Sequence, residues 1–139
     1  MAHTKLLFRD QAREKILAGV TALADAVRVT LGPKSKSILI EKKFGTPIVC
    51  DDGVTIARRI DLPDPDQNLG AQMLRQASER TGDAVGDGTS TAAILAHALF
   101  ADGTRNVVAG ASAIDMKRGL DRATVVAVNA LAAIGDRTL

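Results

Sequence analysis

Three glycine-containing turns carry the residues in this chain most able to do chemistry: Thr30-Leu31-Gly32-Pro33-Lys34, Asp51-Asp52-Gly53-Val54-Thr55 and Gly86-Asp87-Gly88-Thr89-Ser90-Thr91. The last is the centre of the reading. Two glycines bracket an aspartate, so the backbone can turn sharply and let a ligand approach closely. Thr89, Ser90 and Thr91 then open the next helix, where unpaired N–H groups and the positive end of the helix dipole favour an anion such as phosphate. Asp87 repels phosphate but suits Mg²⁺, which takes one or two carboxylates plus phosphate oxygens. The competing reading is an ordinary helix–loop–helix connection with a hydroxyl N-cap. A nucleotide site also needs a carboxylate near the attacking water, and Asp52 is the candidate. No Walker-type Gly-Lys-Ser/Thr loop and no dinucleotide fingerprint is present. Residue types and spacing therefore stop at a possible Mg-nucleotide site.

These turns need regular elements to hold them. Asp10 is a plausible N-cap for a first helix running to about Val29, with Ile16, Leu17, Val20, Leu23, Ala24 and Val27 as its apolar face. Gly32-Pro33 ends it. Ser37–Glu41 and Pro47–Cys50 read as a β-hairpin, and Lys5–Phe8 as a short strand. A short helix to about Ile60 follows the acidic turn. The prolines of Leu62–Asp66 break the chain before a third helix, from Pro65 or Asp66 to Ala84, with Leu69, Met73, Ala77 and Ala84 inward. A fourth helix spans Thr89 to about Ala109, with Ile94, Leu95, Ala98 and Leu99 inside; Asp102-Gly103 is its weak point. A fifth opens at Ser112 and Asp115, a variant capping box, with a stripe of Met116, Leu120, Ala123, Ala127, Leu131 and Ile134. The fold class is mainly α: a helical bundle of about four long helices plus a short one, with a small β-hairpin.

Composition narrows the class. With 139 residues the chain is one domain's worth. A net charge of +2, no Trp or Tyr and only three Phe give neither a basic nucleic-acid face nor base-stacking platforms. The single cysteine, Cys50, excludes an internal disulfide and fits a reducing compartment. The apolar run after Met1–Lys5 is too short for a signal peptide or membrane span, so a cytoplasmic location is expected, with no membrane partner. His97 stands alone and is not a metal ligand by spacing. Cys50, Met73 and Met116 read as packing residues; Arg58, Arg59, Arg75 and Arg80 read as solvated or contact charges.

Val29–Lys34, Asp52–Thr55, Gly70-Ala71-Gln72-Met73, Gly86–Thr91 and Asp115–Gly119 occur in the order and spacing seen in chaperonins. The chain resembles the N-terminal part of a group I (GroEL-type) chaperonin subunit, and Asn68–Met73 favours that group. The resemblance covers nearly the whole chain. It implies that residues 1–134 form the first portion of the ATP-binding equatorial domain, and that 135–139 begin the connection to an intermediate domain. It implies ATP-binding by Thr30, Leu31, Gly32, Pro33, Asp51, Asp87, Gly88, Thr89, Ser90 and Thr91, with Mg²⁺ on Asp87. Asp52 would position or activate the hydrolytic water. K⁺ would lie among the backbones of Thr30 and Asp51 and the hydroxyl of Ser90. The hairpin Ile38–Cys50 and the N-terminal strand would make contacts in a homo-oligomeric, heptameric ring. ATP hydrolysis would drive capture and release of unfolded polypeptide, which, like a co-chaperonin, would engage domains beyond this stretch. Three positions depart from the family pattern. Asp51 stands for the usual Lys, placing a second carboxylate beside Asp52 that is expected to alter cation preference or raise one carboxyl pKa. Ser35 stands for a glycine and Ser90 for a threonine. Without the later domains the chain is expected to hydrolyse ATP poorly or not at all, and to expose apolar stripes. The alternative is a non-catalytic helical interaction module that keeps the fold without turnover.

Overall fold

The computed structural model describes residues 9–41 and 45–135, with side chains from residue 11 onward. The expected strand at Lys5–Phe8, the hairpin's turn residues 42–44 and most of the expected connection at 135–139 lie outside the described residues. Among the described residues, five helices and one two-stranded sheet follow in order: α1 (Arg9–Arg28), β1 (Ile38–Ile40), β2 (Ile48–Cys50), α2 (Gly53–Arg59), α3 (Pro65–Val85), α4 (Thr89–Val108) and α5 (Ala113–Gly135). The mainly helical class with a small hairpin is as expected. The chain divides into two compact units, Met1–Ala101 and Asp102–Leu139.

In the first unit, α1 buries Val20, Leu23, Ala24 and Val27 at the i, i+3, i+4, i+7 spacing of one helix face. Ile16 packs against the same cluster at its edge. Its partner is α3, and the two backbones approach closely because each contributes a glycine. A Cβ on Gly19 would lie 1.7 Å from the Gln67 carbonyl oxygen, and one on Gly70 would lie 2.1 Å from that of Ile16. The buried face of α3 is accordingly small: Gly70, Ala71, Leu74 and Ser78. This corrects the expected face. Leu69 and Met73 are 51% and 47% exposed, Ala84 is exposed and Ala77 half-buried. Leu69 and Met73 each stand one residue before a buried position, Gly70 and Leu74, and so fall about 100° around the helix from the face that meets α1. In α4 the buried residue is Ala93, with Ala96 and Phe100 packed beside the core and Ile94 half-buried. Leu95, Ala98 and Leu99, expected inside, are exposed, because α4 presents its Ala93–Ala96–Phe100 row to the core of this unit.

The sheet pairs Ile38 with Cys50, Leu39 with Val49 and Ile40 with Ile48, antiparallel. Alternation along the strands puts Ile38, Ile40 and Cys50 on the core and leaves Leu39 and Val49 exposed. α2 buries Gly53, Ile56 and Ala57. Its C-terminus is held by Arg75 of α3, which donates from Nε to the Ala57 carbonyl and from Nη2 to that of Ile60, both at 2.7 Å. Arg75 is thus a structural clamp, where a solvated or ring-contact charge was expected from sequence. Asp64 caps α3, accepting from the Asp66 N–H at 2.9 Å, and Pro65 occupies the first turn, where its missing N–H costs nothing. Lys15 of α1 bonds the same carboxylate. That hydrogen bond raises the Lys15 pKa and lowers that of Asp64.

In the second unit the end of α4 continues through Asp102-Gly103 unbroken. Asp102 pairs with Arg105 at 3.2 Å, and the Cβ position of Gly103 meets the Met116 terminal methyl at an ordinary 3.4 Å. Gly110, at φ 100°, reverses the chain; the Ala111 N–H bonds back to Asn106 O and the Gly110 N–H to Val107 O. Ser112 then accepts from the Asp115 N–H at 3.3 Å to start α5. Half of the expected capping box is therefore formed, and the Asp115 carboxylate bonds Arg118 at 3.4 Å. Within the expected stripe of α5 only Met116 is half-buried; Leu120, Ala123, Ala127, Leu131 and Ile134 are exposed.

Candidate functional site

All three chemistry-bearing turns lie in the first unit, each where an α-helix starts or stops. Gly53 brings two of them together beside the end of α1. A Cβ there would lie 1.9 Å from Ser90 Oγ, 2.9 Å from Ser90 Cβ and 3.2 Å from Val27 Cγ1. The acidic turn, the first residues of α4 and the last turn of α1 are thus in direct contact at one buried glycine. No residue with a side chain fits there. Val27 in turn anchors the Thr30–Lys34 turn: its carbonyl accepts the Thr30 N–H at 3.1 Å and the Thr30 hydroxyl at 2.8 Å. The turn closes through the Ser35 N–H to Gly32 O at 3.0 Å and the Lys36 N–H to Val29 O at 2.9 Å. Ser35, in place of a glycine, is accommodated as an exposed residue of this turn.

Asp52 is the N-cap of α2. Its carboxylate accepts the Val54 N–H at 3.4 Å, the Thr55 N–H at 3.0 Å and the Thr55 hydroxyl at 2.6 Å. The Thr55 hydroxyl is the main reason the Asp52 pKa falls below its ordinary value, opposed by partial burial and helped by the two backbone donors. The expected upward shift from neighbouring Asp51 is therefore not found at Asp52. Hydrogen bonds to the ionised form, with Arg58 nearby, outweigh the partial burial that opposes them. Asp51 and Asp52 are both exposed.

The third turn is built by α3. Gly86 ends that helix at φ 75° with its N–H on the Gly82 carbonyl, and Gly88 follows at φ 72°. Between them Asp87 is exposed and its Oδ1 accepts the Gly88 N–H at 2.6 Å. Thr89 and Ser90 are half-buried and Thr91 is exposed at the start of α4. Leu31, Gly32 and Pro33 are exposed and Thr30 is half-buried. So Ser90 meets the acidic turn through Gly53, whereas Asp87 bonds within its own turn and Leu31, Gly32 and Pro33 stand open.

Ser78, which sequence reasoning passed over, reaches this site from α3. It is fully buried, and its hydroxyl donates to the Thr89 carbonyl at 3.1 Å. The signal was legible: Ser78 falls four residues after Leu74 and seven after Ala71, a hydroxyl in an apolar helix stripe. His97 bonds Thr21 Oγ1 at 3.2 Å and lies 3.5 Å from Arg28, so it joins α4 to α1. Among the described residues no three His, Cys, Asp or Glu side chains gather to hold a metal unaided, and no helix is long and apolar enough to cross a membrane.

Comparison with known proteins gives this geometry a family. The profile of the TCP-1/cpn60 chaperonin family matches residues 23–138. Chaperonin GroEL 5 of Bradyrhizobium diazoefficiens is 69% identical over 134 residues, covering 96% of this chain and 25% of that protein. The crystal structure of a group III chaperonin in the open state superposes with a TM-score of 0.71 at 36% identity, over 83% of this chain and 22% of that one. The chain thus spans about a quarter of the length of the relatives it matches. A family profile covering most of the sequence, a relative of this identity and a shared backbone agree, and the chain belongs to the TCP-1/cpn60 chaperonin family, in which it corresponds to the N-terminal equatorial part.

Proposed function

We propose that this chain is the nucleotide-holding portion of an ATP-driven protein-folding chaperonin subunit. The observation that supports it most is the meeting of Val27, Gly53 and Ser90, which gathers a phosphate-type helix start, an acidic turn and a Gly-Pro turn in one neighbourhood. The residues present fit Mg-ATP. Around Gly86 and Gly88 nothing lies within 4 Å of the positions a Cβ would take, so a phosphate can approach the backbone. The first N–H groups of α4 and the hydroxyls of Thr89, Ser90 and Thr91 supply donors. Thr30, Leu31, Gly32 and Pro33 flank the nucleotide from the α1 side. Asp87 is an exposed carboxylate for Mg²⁺, whose remaining ligands would be phosphate oxygens and water. Mg²⁺ supplies neutralisation of the charge that develops on the phosphates.

Asp52 is ionised, and its depressed pKa makes it a poor proton acceptor but a good orienter of water. Its task in this reading is therefore to point a lone pair at the attacking water. A monovalent cation such as K⁺ would be held by the backbones of Thr30 and Asp51 and the Ser90 hydroxyl. Hydrolysis, ring assembly and handling of unfolded polypeptide belong to the complete subunit, in which the sheet edge at β1–β2 serves subunit contact. The decisive experiment is calorimetric titration of the chain with Mg-ATP, beside Asp87→Ala. Binding by the parent chain and its loss in the variant is the expected result. No binding heat from the parent chain would leave only a helical module without nucleotide, and equal binding by the variant would take Asp87 out of the site.

A further inference from the structure

We propose that Ser78 is the positioning residue that aims the first peptide of α4 at phosphate. The inference rests on the Mg-ATP reading above and deepens it. Ser78 is the one buried polar side chain of the described core, and a hydroxyl taken out of water is costly unless it is bonded. Mid-helix serines commonly return their proton to their own helix, as Thr81 does here to the Ala77 carbonyl at 3.0 Å. Ser78 instead reaches across to Thr89 O, eleven residues on, at 3.1 Å.

The bonded atom is informative. Thr89 O and the Ser90 N–H belong to one planar peptide unit and point in opposite directions. Holding the carbonyl into α3 therefore turns the Ser90 N–H, one of the free donors of the first helical turn, outward along the start of α4. Two further contacts lock the same peptide. The Thr89 methyl packs 3.2 Å from the Cβ position of Gly82, and the Ser90 side chain sits against Gly53. The donor is thus fixed before any ligand arrives, and binding loses less freedom.

The test compares the parent chain with Ser78→Ala, Thr81→Ala and Asp87→Ala, each titrated with Mg-ATP while backbone amides are followed by NMR. Thr81→Ala removes a hydroxyl one turn away that does not reach α4, and should bind as the parent does. Ser78→Ala should keep its helical circular dichroism but bind about tenfold more weakly, the worth of roughly one such hydrogen bond. Its Ser90 amide resonance should move even without nucleotide, while Thr55, capped by Asp52, stays in place. Ser78→Thr, which keeps the hydroxyl, should restore the parent's Ser90 resonance. Parent-like affinity and an unmoved Ser90 amide in Ser78→Ala overturn this inference alone. A parent chain that ignores Mg-ATP overturns it together with the nucleotide reading.

Discussion

At the scale of single residues, the site is organised by what carboxylates bond to rather than by how many there are. Asp52 and Asp51 are adjacent, yet Asp52 is held below its ordinary pKa of 3.8 by the Thr55 hydroxyl and two N–H groups. Asp64 is lowered in the same direction, first by its bond to Lys15. The sign for stability follows. A carboxyl whose folded pKa is depressed stabilises the fold above its unfolded value, and that contribution is lost as pH falls through the folded value. The melting temperature should therefore be level from neutral pH to about 5 and fall below about pH 4. In Asp52→Asn the acid limb should be shallower, which thermal melts across pH would show. Asp52→Ala removes the cap of α2 and should cost about 0.5–2 kcal/mol in denaturant unfolding. The acidic turn was legible in the sequence. The downward shift was not, since it depends on the rotamer that brings Thr55 Oγ1 to 2.6 Å.

Among the elements, boundaries were more legible than faces. Asp64-Pro65 before α3, Gly86 after it and Ser112 before α5 are local signals that stand beside the boundaries they mark, whereas α1 ends at Arg28, short of Gly32-Pro33, and Asp10, expected as its N-cap, lies inside it. The inner faces of α3 and α4 differ from those expected because periodicity alone does not say which apolar row meets a neighbour. Gly19 and Gly70 fix which face of α3 meets α1, the one carrying Ala71, Leu74 and Ser78, and Leu69 and Met73 fall about 100° off it. Gly70→Ala should then be harmful although alanine favours helix. Its methyl would press on the Ile16 carbonyl, and overpacking of this kind costs about 1–3 kcal/mol or more. Arg75 offers a second check. It forks onto two carbonyls at the end of α2 while only 20% exposed. Arg75→Lys keeps the charge but not the fork, and should lose about 1.5–3 kcal/mol, as for hydrogen bonds to charged groups. An unchanged urea midpoint for that variant would show the clamp to be dispensable. Such roles need partners distant in sequence, so no local pattern could assign them.

For the molecule as a whole, the distribution of apolar surface is the governing fact. α5 carries its charges in its first half, with Lys117 paired to Asp121 and Asp115 to Arg118. From Ala123 to Gly135 it has none, and Val125, Val126, Val128, Leu131 and Ile134 are between 57% and 68% exposed. A helix segment without charges, polar only at Thr124 and Asn129, is stable in water only when something covers its apolar residues. In relatives about four times as long, the remaining chain is available to do so. The isolated chain should cover this surface with copies of itself, at a strength set by exposed area rather than by a specific fit. Sedimentation should show a mean mass that rises with protein concentration. Placing charges at Val126→Glu and Val128→Lys should return the population toward monomer while leaving Mg-ATP affinity untouched, because the proposed nucleotide residues all lie between Thr30 and Thr91. A concentration-independent monomer in the parent chain would instead mean that the uncharged half of α5 is satisfied within one copy.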